Sequence, residues 1–273
     1  MIKNKSFSLD KYFSLTKAGI MESLTFRSSI LVTIIGNLIY LIVTYYLWKA
    51  IYASSPSDVV NGMTFYDTMI YLVLALALFN FMECFIVWNI GRNFQSGQIA
   101  VDLIKPMDYQ VFCFFANSGQ YLISFFTTFL PTLIILYYVT RGGFTLGMNL
   151  IYFTLSVILA IIINFCVDFF VGIICFYTAS VWGVNIMKEV VVSLLSGASI
   201  PLAFFPARLR NIVDFLPFQA IYNSPLKILI DKSLETKEYV TIIENQIFWV
   251  IIMILISRIF WNVSKRVITV NGG

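Results

Sequence analysis

The segment NLIYFTLSVILAIIINFCVDFFVGIIC, residues 149–175, contains a single charged side chain, that of Asp168. Asp168 is also the only Asp, Glu, Lys or Arg in the longer stretch of residues 142–187. Residues 28–48 and 109–140 contain no charged side chain at all. An α-helix satisfies its backbone hydrogen bonds internally, so uncharged runs of this length are typical of helices that cross a lipid bilayer.

The overall composition agrees with this interpretation. Hydrophobic residues make up 59% of the 273-residue chain, charged residues make up 12%, and the mean hydropathy is +0.86. A soluble domain cannot cover that much apolar surface. The sequence predicts an all-α membrane protein, one transmembrane domain over residues 1–273, with six transmembrane helices. We place them at about 28–48, 67–88, 113–140, 149–175 and 245–264, with the fifth beginning near Val190 and interrupted by Pro201 and Pro206.

Two further segments accompany these spans. Residues 9–26 place apolar side chains at helical spacing between charged ones, which predicts an interfacial helix; an amphipathic helix packed on protein is the alternative. Residues 215–226, FLPFQAIYNSPL, are uncharged but too short to cross the bilayer. We therefore expect a re-entrant hairpin over residues 201–230, between helices five and six.

The distribution of basic residues predicts the orientation. With both termini in the cytoplasm, the inner side receives ten basic residues and the outer side seven. The inner set is Lys3, Lys5, Lys11, Lys17, Arg27, Arg92, Lys105, Lys188, Lys265 and Arg266, and the outer set is Lys49, Arg141, Arg208, Arg210, Lys227, Lys232 and Lys237. Because cytoplasmic loops carry an excess of Lys and Arg, we expect both termini inside. The first apolar run is long and lacks a small-residue cleavage site, so no cleaved signal peptide is expected.

Several kinds of chemistry are excluded by residue content. The chain has no histidine, which removes histidine-based zinc sites and Ser-His-Asp triads. It contains neither a GxxxxGK[ST] stretch nor a GxGxxG fingerprint, so we expect no nucleotide or other cofactor in this chain. No run of five basic residues suggests nucleic acid. The four cysteines lie in or beside apolar segments, where cysteine behaves as a small hydrophobe.

Three charges fall inside the apolar runs: Glu83, Asp168 and Arg258. By the rise of an α-helix, each lies within about two turns of the inner end of its predicted span. Such charges are expensive in a bilayer and are usually paired or face water. We expect them to form a buried cluster that locks helices together, or to reach the inner headgroups; a proton or ion relay is the alternative.

The loop between spans two and three, NIGRNFQSGQIAVDLIKPMDYQ (residues 89–110), has a short amphipathic stretch. A short helix along the inner face would offer a partner a docking surface, and a simple loop is the alternative. Toward the outer side, Phe204, Phe205, Phe218 and Tyr222 lie among Pro201, Pro206 and Pro217. They fit an exit route for an amphiphile or an aromatic belt at the headgroups.

Two stretches carry a resemblance to a known family. Residues 97–110, GQIAVDLIKPMDYQ, and residues 196–228, SGASIPLAFFPARLRNIVDFLPFQAIYNSPLKI, resemble the six-span permease subunits of bacterial type-2 ATP-binding-cassette exporters. The resemblance implies an N-terminal connecting helix at 9–26, a coupling helix within 91–108 that contacts an ATPase, and an outer gate at 201–230. The coupling residues it indicates are Gly97, Asp102, Leu103, Lys105 and Pro106; the outer gate and pathway residues are Pro201, Phe204, Phe205, Pro206, Phe218, Gln219 and Tyr222.

The resemblance also implies partners. Two permeases, either a homodimer or a divergent heterodimer, would work with two separate ATPase subunits, which hold ATP and Mg²⁺ and supply all catalytic residues. The cargo would be a drug, peptide, lipid or glycan moved outward. A secondary transporter or channel stays open as an alternative, although neither internal repeats nor midplane charges are evident. A membrane-embedded enzyme and an assembly or immunity subunit are further alternatives.

Overall fold

The computed structural model describes residues 9–25, 27–141, 147–178 and 180–268. Lys3, Lys5 and residue 26, the last residue of the predicted N-terminal helix, lie outside the described residues. The regular secondary structure of the described residues is helical apart from one small β-hairpin. Its elements are α1 (Leu9–Thr25), α2 (Arg27–Ala53), β1 (Val59–Val60), β2 (Met63–Thr64), α3 (Phe65–Met82), α4 (Ile86–Gln95), α5 (Gln98–Ile104), α6 (Tyr109–Ser124), a π-helical turn (Phe125–Phe129), α7 (Leu130–Val139), α8 (Asn149–Ile174), α9 (Val181–Leu195), a 3₁₀ turn (Leu202–Phe204), α10 (Ala207–Asp214), a second 3₁₀ turn (Pro217–Ala220), α11 (Asn223–Ile230) and α12 (Thr236–Ser264).

Among the described residues, five helical segments are long and apolar enough to cross a bilayer. They are Leu31–Ala53, Phe65–Gln95, Tyr109–Val139, Asn149–Ile174 and Thr236–Ser264. The expectation of a helical membrane protein is confirmed. The predicted fifth span corresponds to α9, which has 15 residues and does not belong to this set.

Helix α8 is the centre of the bundle, because it packs against α4, α9, α11 and α12. Its side chains are apolar around most of the helix, and Ala160, Ile163 and Phe169 are fully buried. A helix that is hydrophobic on all sides is one surrounded by other helices or lipid. The most apolar span in the sequence is therefore also the one that the others enclose.

Two of the long spans are not continuous α-helices. Span two stops at Met82, Glu83 adopts an extended backbone conformation (φ −66°, ψ 122°), and α4 begins at Ile86. Span three contains the π-helical turn just before Pro131. Proline lacks a backbone N–H and clashes with the preceding turn, which explains a local change of helical geometry there. The break at Glu83 has no proline or glycine signal in the sequence.

The N-terminal helix α1 packs along α6. Gly19 of α1 faces Gly119 of α6 so closely that a Cβ on Gly119 would lie 2.3 Å from the backbone nitrogen of Ile20. Beside this crossing, the hydroxyl groups of Thr16 and Ser118 are hydrogen-bonded at 2.7 Å. Small residues permit such close approach of two helices.

Candidate functional site

The turn between α4 and α5 fixes the position of α5. Gly97, the N-cap residue directly before α5, has the left-handed conformation (φ 74°), which glycine adopts without steric cost. The Asp102 carboxylate is buried, accepts a hydrogen bond from Asn93 Nδ2 at 3.0 Å, and pairs with Lys105 Nζ at 2.8 Å. Ile99 is buried beneath the helix. These contacts hold α5 against α4.

The opposite face of α5 is apolar and exposed. Val101 is 52% exposed and Ile104 is 82% exposed, with Leu103 beside them. Of the predicted coupling residues, Gly97, Leu103 and Pro106 are therefore at the surface. Asp102 instead lies inside the turn, where it positions α5 and presents no surface to a partner.

Lys105 is half-buried, with its ammonium group 4.2 Å from the centre of the Phe112 ring. The most exposed apolar residue of the turn, Ile104, was not among the predicted coupling residues. The signal that could have found it is an apolar side chain at the end of an amphipathic stretch, directly before Lys105 and Pro106.

Deeper in the bundle, an ion pair joins α8 to α9. Lys188 Nζ lies 2.9 Å from Asp168 Oδ1, and the two side chains are 12% and 1% exposed. Asn164 Nδ2 donates to the backbone oxygen of Met82 at 3.1 Å and to Asp168 Oδ2 at 3.4 Å, so the pair is also tied to the end of α3. The count of basic residues predicts Lys188 on the inner side, and its side stays a prediction; the structure adds that the side chain is buried in an ion pair. The sequence signal for this burial was a single lysine beside the apolar residues of α9.

Glu83, at the break in span two, is close enough to Lys188, Asp168 and Glu189 to interact with them electrostatically. Glu189 is one residue beyond Lys188 on α9 and accepts a hydrogen bond from Asn185 Nδ2 at 2.5 Å. Glu83 thus lies near Asp168, as predicted, but no ion pair joins the two. The basic residue that pairs with Asp168 is Lys188 and not an arginine.

Arg258 pairs elsewhere. Its Nη1 contacts both oxygens of Asp108, at 2.7 and 2.6 Å. Asp108 Oδ1 also accepts from the backbone nitrogen of Val111 and so caps α6. The prediction that Arg258 shares a cluster with Glu83 and Asp168 is wrong, because the fold brings α12 alongside the start of α6 at this level. The two side chains are 41% and 38% exposed.

A polar cavity of about 530 Å³ opens beside the break in span two. Residues of α1, α2, α3, α4 and α6 line it, and its charged members are Glu22, Glu83 and Arg92. Amide side chains supply much of the remaining wall. This cavity was not predicted, because its walls come from segments far apart in the sequence.

The predicted outer gate residues lie in, or directly beside, the four short helical segments before α12. Pro201, Gln219 and Tyr222 are buried; Phe204, Phe205 and Phe218 are partly buried; and Pro206 is exposed where it begins α10. The Phe204 ring packs edge-on against Trp48 of α2, with centroids 4.6 Å apart, and the Tyr222 ring lies 5.9 Å from that of Phe79. A second cavity, of about 870 Å³, opens beside these segments and includes Pro201, Gln219 and the charged Arg210 and Lys227.

The sequence of residues 38–272 matches the family model described as "ABC-2 family transporter protein". The chain belongs to the ABC-2 transporter family. The resemblance that the two sequence stretches indicated is therefore confirmed. A search of curated proteins gave no match. This ABC-2 family member is a multi-pass membrane protein and the membrane component of a transporter, a component that normally pairs with an ATP-binding subunit.

Proposed function

We propose that this ABC-2 family member is the transmembrane subunit of an exporter that moves an amphiphilic substrate outward across the cell membrane. ATP and Mg²⁺ bind to a separate ATPase subunit, and this chain holds neither. The proposal rests on the family match over most of the chain. It rests also on α5, whose apolar face is exposed while the buried Asp102 on its other face is paired with Lys105.

The exposed face of α5 is the contact for the ATPase. Ile104, Val101 and Leu103 form an apolar surface on a helix held to α4 by the hydrogen bond from Asn93 to Asp102. Interfaces use apolar anchors on rigid elements, because a fixed side chain loses little conformational freedom on binding. A force applied at α5 passes directly to α4, and α4 packs against α8 and α9.

The topology of the proposed subunit has six crossings with both termini in the cytoplasm. Helix α9 has 15 residues and by the helical rise is about 22 Å long, shorter than a hydrocarbon core of about 30 Å. The segments from Leu202 to Ile230 complete this crossing as a re-entrant hairpin on the outer side. Helix α1 lies in the inner interface, with Phe13 and Met21 exposed to lipid.

A second permease completes the pathway. Pro201, Phe204 and the neighbouring gate residues stand on the outer side of the proposed path, near the second cavity. A homodimer and a divergent heterodimer both satisfy this arrangement. The cargo is of the drug, peptide, lipid or glycan type.

The proposal is tested by reconstituting the chain with the ABC ATPase that co-purifies with it in mild detergent. We expect ATP-dependent outward movement of a fluorescent amphiphile in proteoliposomes. Ile104→Asp should abolish co-purification and flux, because it places a charge in the centre of an apolar contact. The control is Gln98→Asp, an exposed polar position on the same helix, which should retain both.

Two results would contradict the proposal. One is flux driven by a proton gradient in liposomes that contain this chain alone, which indicates a secondary transporter. The other is a partner ATPase that binds Ile104→Asp as well as it binds the natural chain.

A further inference from the structure

The polar cavity beside span two is lined by acidic and amide side chains. It lies at the break between α3 and α4, and α1 and α6 close two of its sides. Its charged residues are two carboxylates, Glu22 and Glu83, and one guanidinium group, Arg92. A cavity in this part of a membrane protein must be filled by water or by a polar group of a ligand, because polar walls are costly to leave bare.

The amides that line the cavity are hydrogen-bonded to other groups of the protein. Asn80 Nδ2 donates to Asn37 Oδ1 at 3.3 Å, and Asn89 Nδ2 donates to Asn117 Oδ1 at 3.1 Å. Gln120 Nε2 donates to the backbone oxygen of Glu83 at 3.2 Å, which satisfies a carbonyl freed by the break. These bonds orient the amide groups of the cavity wall beside Glu83.

The carboxylate of Glu83 itself has no ion-pair partner within 4.0 Å among the described residues, and it is exposed to the cavity. The nearby ammonium group of Lys188 is already bound to Asp168 at 2.9 Å. Glu189, on the same side, adds a further negative charge. With the cavity residues Glu22 and Arg92 included, this region holds four carboxylates, Glu83 among them, against one ammonium and one guanidinium group, and the excess negative charge favours a cation at the cavity.

The depth of Glu83 defines the shape of a suitable ligand. The 18 residues of α3 extend about 27 Å by the helical rise, close to the thickness of a hydrocarbon core. Glu83 therefore lies near the inner edge of the apolar layer, at the level expected for the interfacial helix α1. A ligand at this depth places a polar head against Glu83 and a hydrocarbon tail toward the bilayer.

We propose that this cavity binds the protonated amine of an amphiphile taken from the inner leaflet, with Glu83 as its counter-ion. The inference deepens the proposed function, since it assigns a chemical class to the substrate. An ammonium group offers several donors to a carboxylate, and charge-assisted hydrogen bonds of this kind are strong. A phosphate or sulfate head is disfavoured, because it would face Glu83 and Glu22 with only Arg92 in its favour.

The test measures binding to the full-length chain in nanodiscs without any ATPase. The probe is a fluorescent alkylammonium, and sulfate-headed and sugar-headed probes with the same tail are compared with it. We expect saturable binding of the ammonium probe only, and Glu83→Gln should weaken it about tenfold or more, equivalent to about 1.4 kcal/mol. The matched control is Glu244→Gln, an exposed carboxylate on α12 that does not line the cavity and should leave affinity unchanged.

A second measurement uses the natural chain, so it does not depend on the folding of a variant. A hydrophobic carbodiimide should modify the Glu83 carboxyl, as mapped by mass spectrometry, and the ammonium probe should protect it. Nanodiscs with phosphoethanolamine lipids are compared with nanodiscs of glycerol-headed lipids. Competition by the former identifies an amine-headed lipid as the ligand, and its absence identifies a free cationic amphiphile.

Equal binding of all three probes, or an unchanged affinity in Glu83→Gln, would overturn the inference. So would a lack of protection of Glu83 from the carbodiimide. None of these readouts uses ATP or transport. Failure of the amine site is therefore distinguishable from failure of the exporter proposal, which is decided by ATP-driven flux.

Discussion

The ion pairs of this protein differ in how much they contribute to the free energy of unfolding. Lys188 and Asp168 are both buried, so removal of one leaves the other as an uncompensated charge inside the bundle. Lys188→Met should lower the free energy of unfolding by about 3–5 kcal/mol. The double variant Lys188→Met with Asp168→Asn should recover much of this loss. Thermal unfolding in mixed micelles, arranged as a double-mutant cycle, measures the coupling.

The pair of Arg258 and Asp108 is the natural control, because both side chains are partly exposed. Arg258→Met should cost at most about 1 kcal/mol. If Lys188→Met lowered the free energy of unfolding no more than Arg258→Met does, the ion pair between α8 and α9 would not stabilise the bundle.

Among the helices, α5 depends on Asp102 for its position. Asp102→Asn removes the charge that holds Lys105 and weakens the bond from Asn93, so α5 should loosen while the spans stay folded. We expect a loss of about 1–3 kcal/mol, confined to the turn. Hydrogen exchange should show faster exchange in Gln98–Ile104 and an unchanged rate in α8. In the proposed complex, the same variant should uncouple ATP hydrolysis from transport.

The contact of α1 with α6 is a second prediction for helices. Gly119→Ala places a methyl group 2.3 Å from the backbone of α1, so the two helices must separate. The expected loss is about 1–3 kcal/mol, seen as a lower unfolding temperature and faster proteolysis of α1. In the control Gly36→Ala, the added methyl meets no described atom within 4 Å and should have little effect. Equal unfolding temperatures of the two variants would mean that the contact at Gly119 does not hold α1 against α6.

For the whole molecule, orientation in the membrane can be measured by cysteine labelling. The four natural cysteines are all buried, so an impermeant maleimide should label the natural chain poorly. Ser233→Cys, in the loop before α12, should react in intact cells, and Ser96→Cys, between α4 and α5, should react only after permeabilisation. Both serines are exposed. Labelling of Ser96→Cys from outside would reverse the proposed topology.

Hydropathy along the chain was enough to locate most of the spans. The predicted helix at 149–175 corresponds to α8 at Asn149–Ile174, because an apolar run of that length with a single charge has no stable alternative in lipid. The last span begins earlier than predicted, at Thr236. Glu235 and Glu238 make its first turn polar, while together they form a capping box that favours helix. The α5 segment was also recognisable from its amphipathic pattern.

The pairing of charges and the cavity required the folded chain. Arg258 meets Asp108 across 150 positions of sequence, and Lys188 meets Asp168 only because α9 returns along α8. The break at Glu83 likewise has no local sequence signal. Hydropathy and helix propensity depend on residues that are neighbours in the sequence, so both can be judged from the sequence alone. Ion pairs and cavities depend on which helix faces meet, and that is set by the packing of side chains from distant segments.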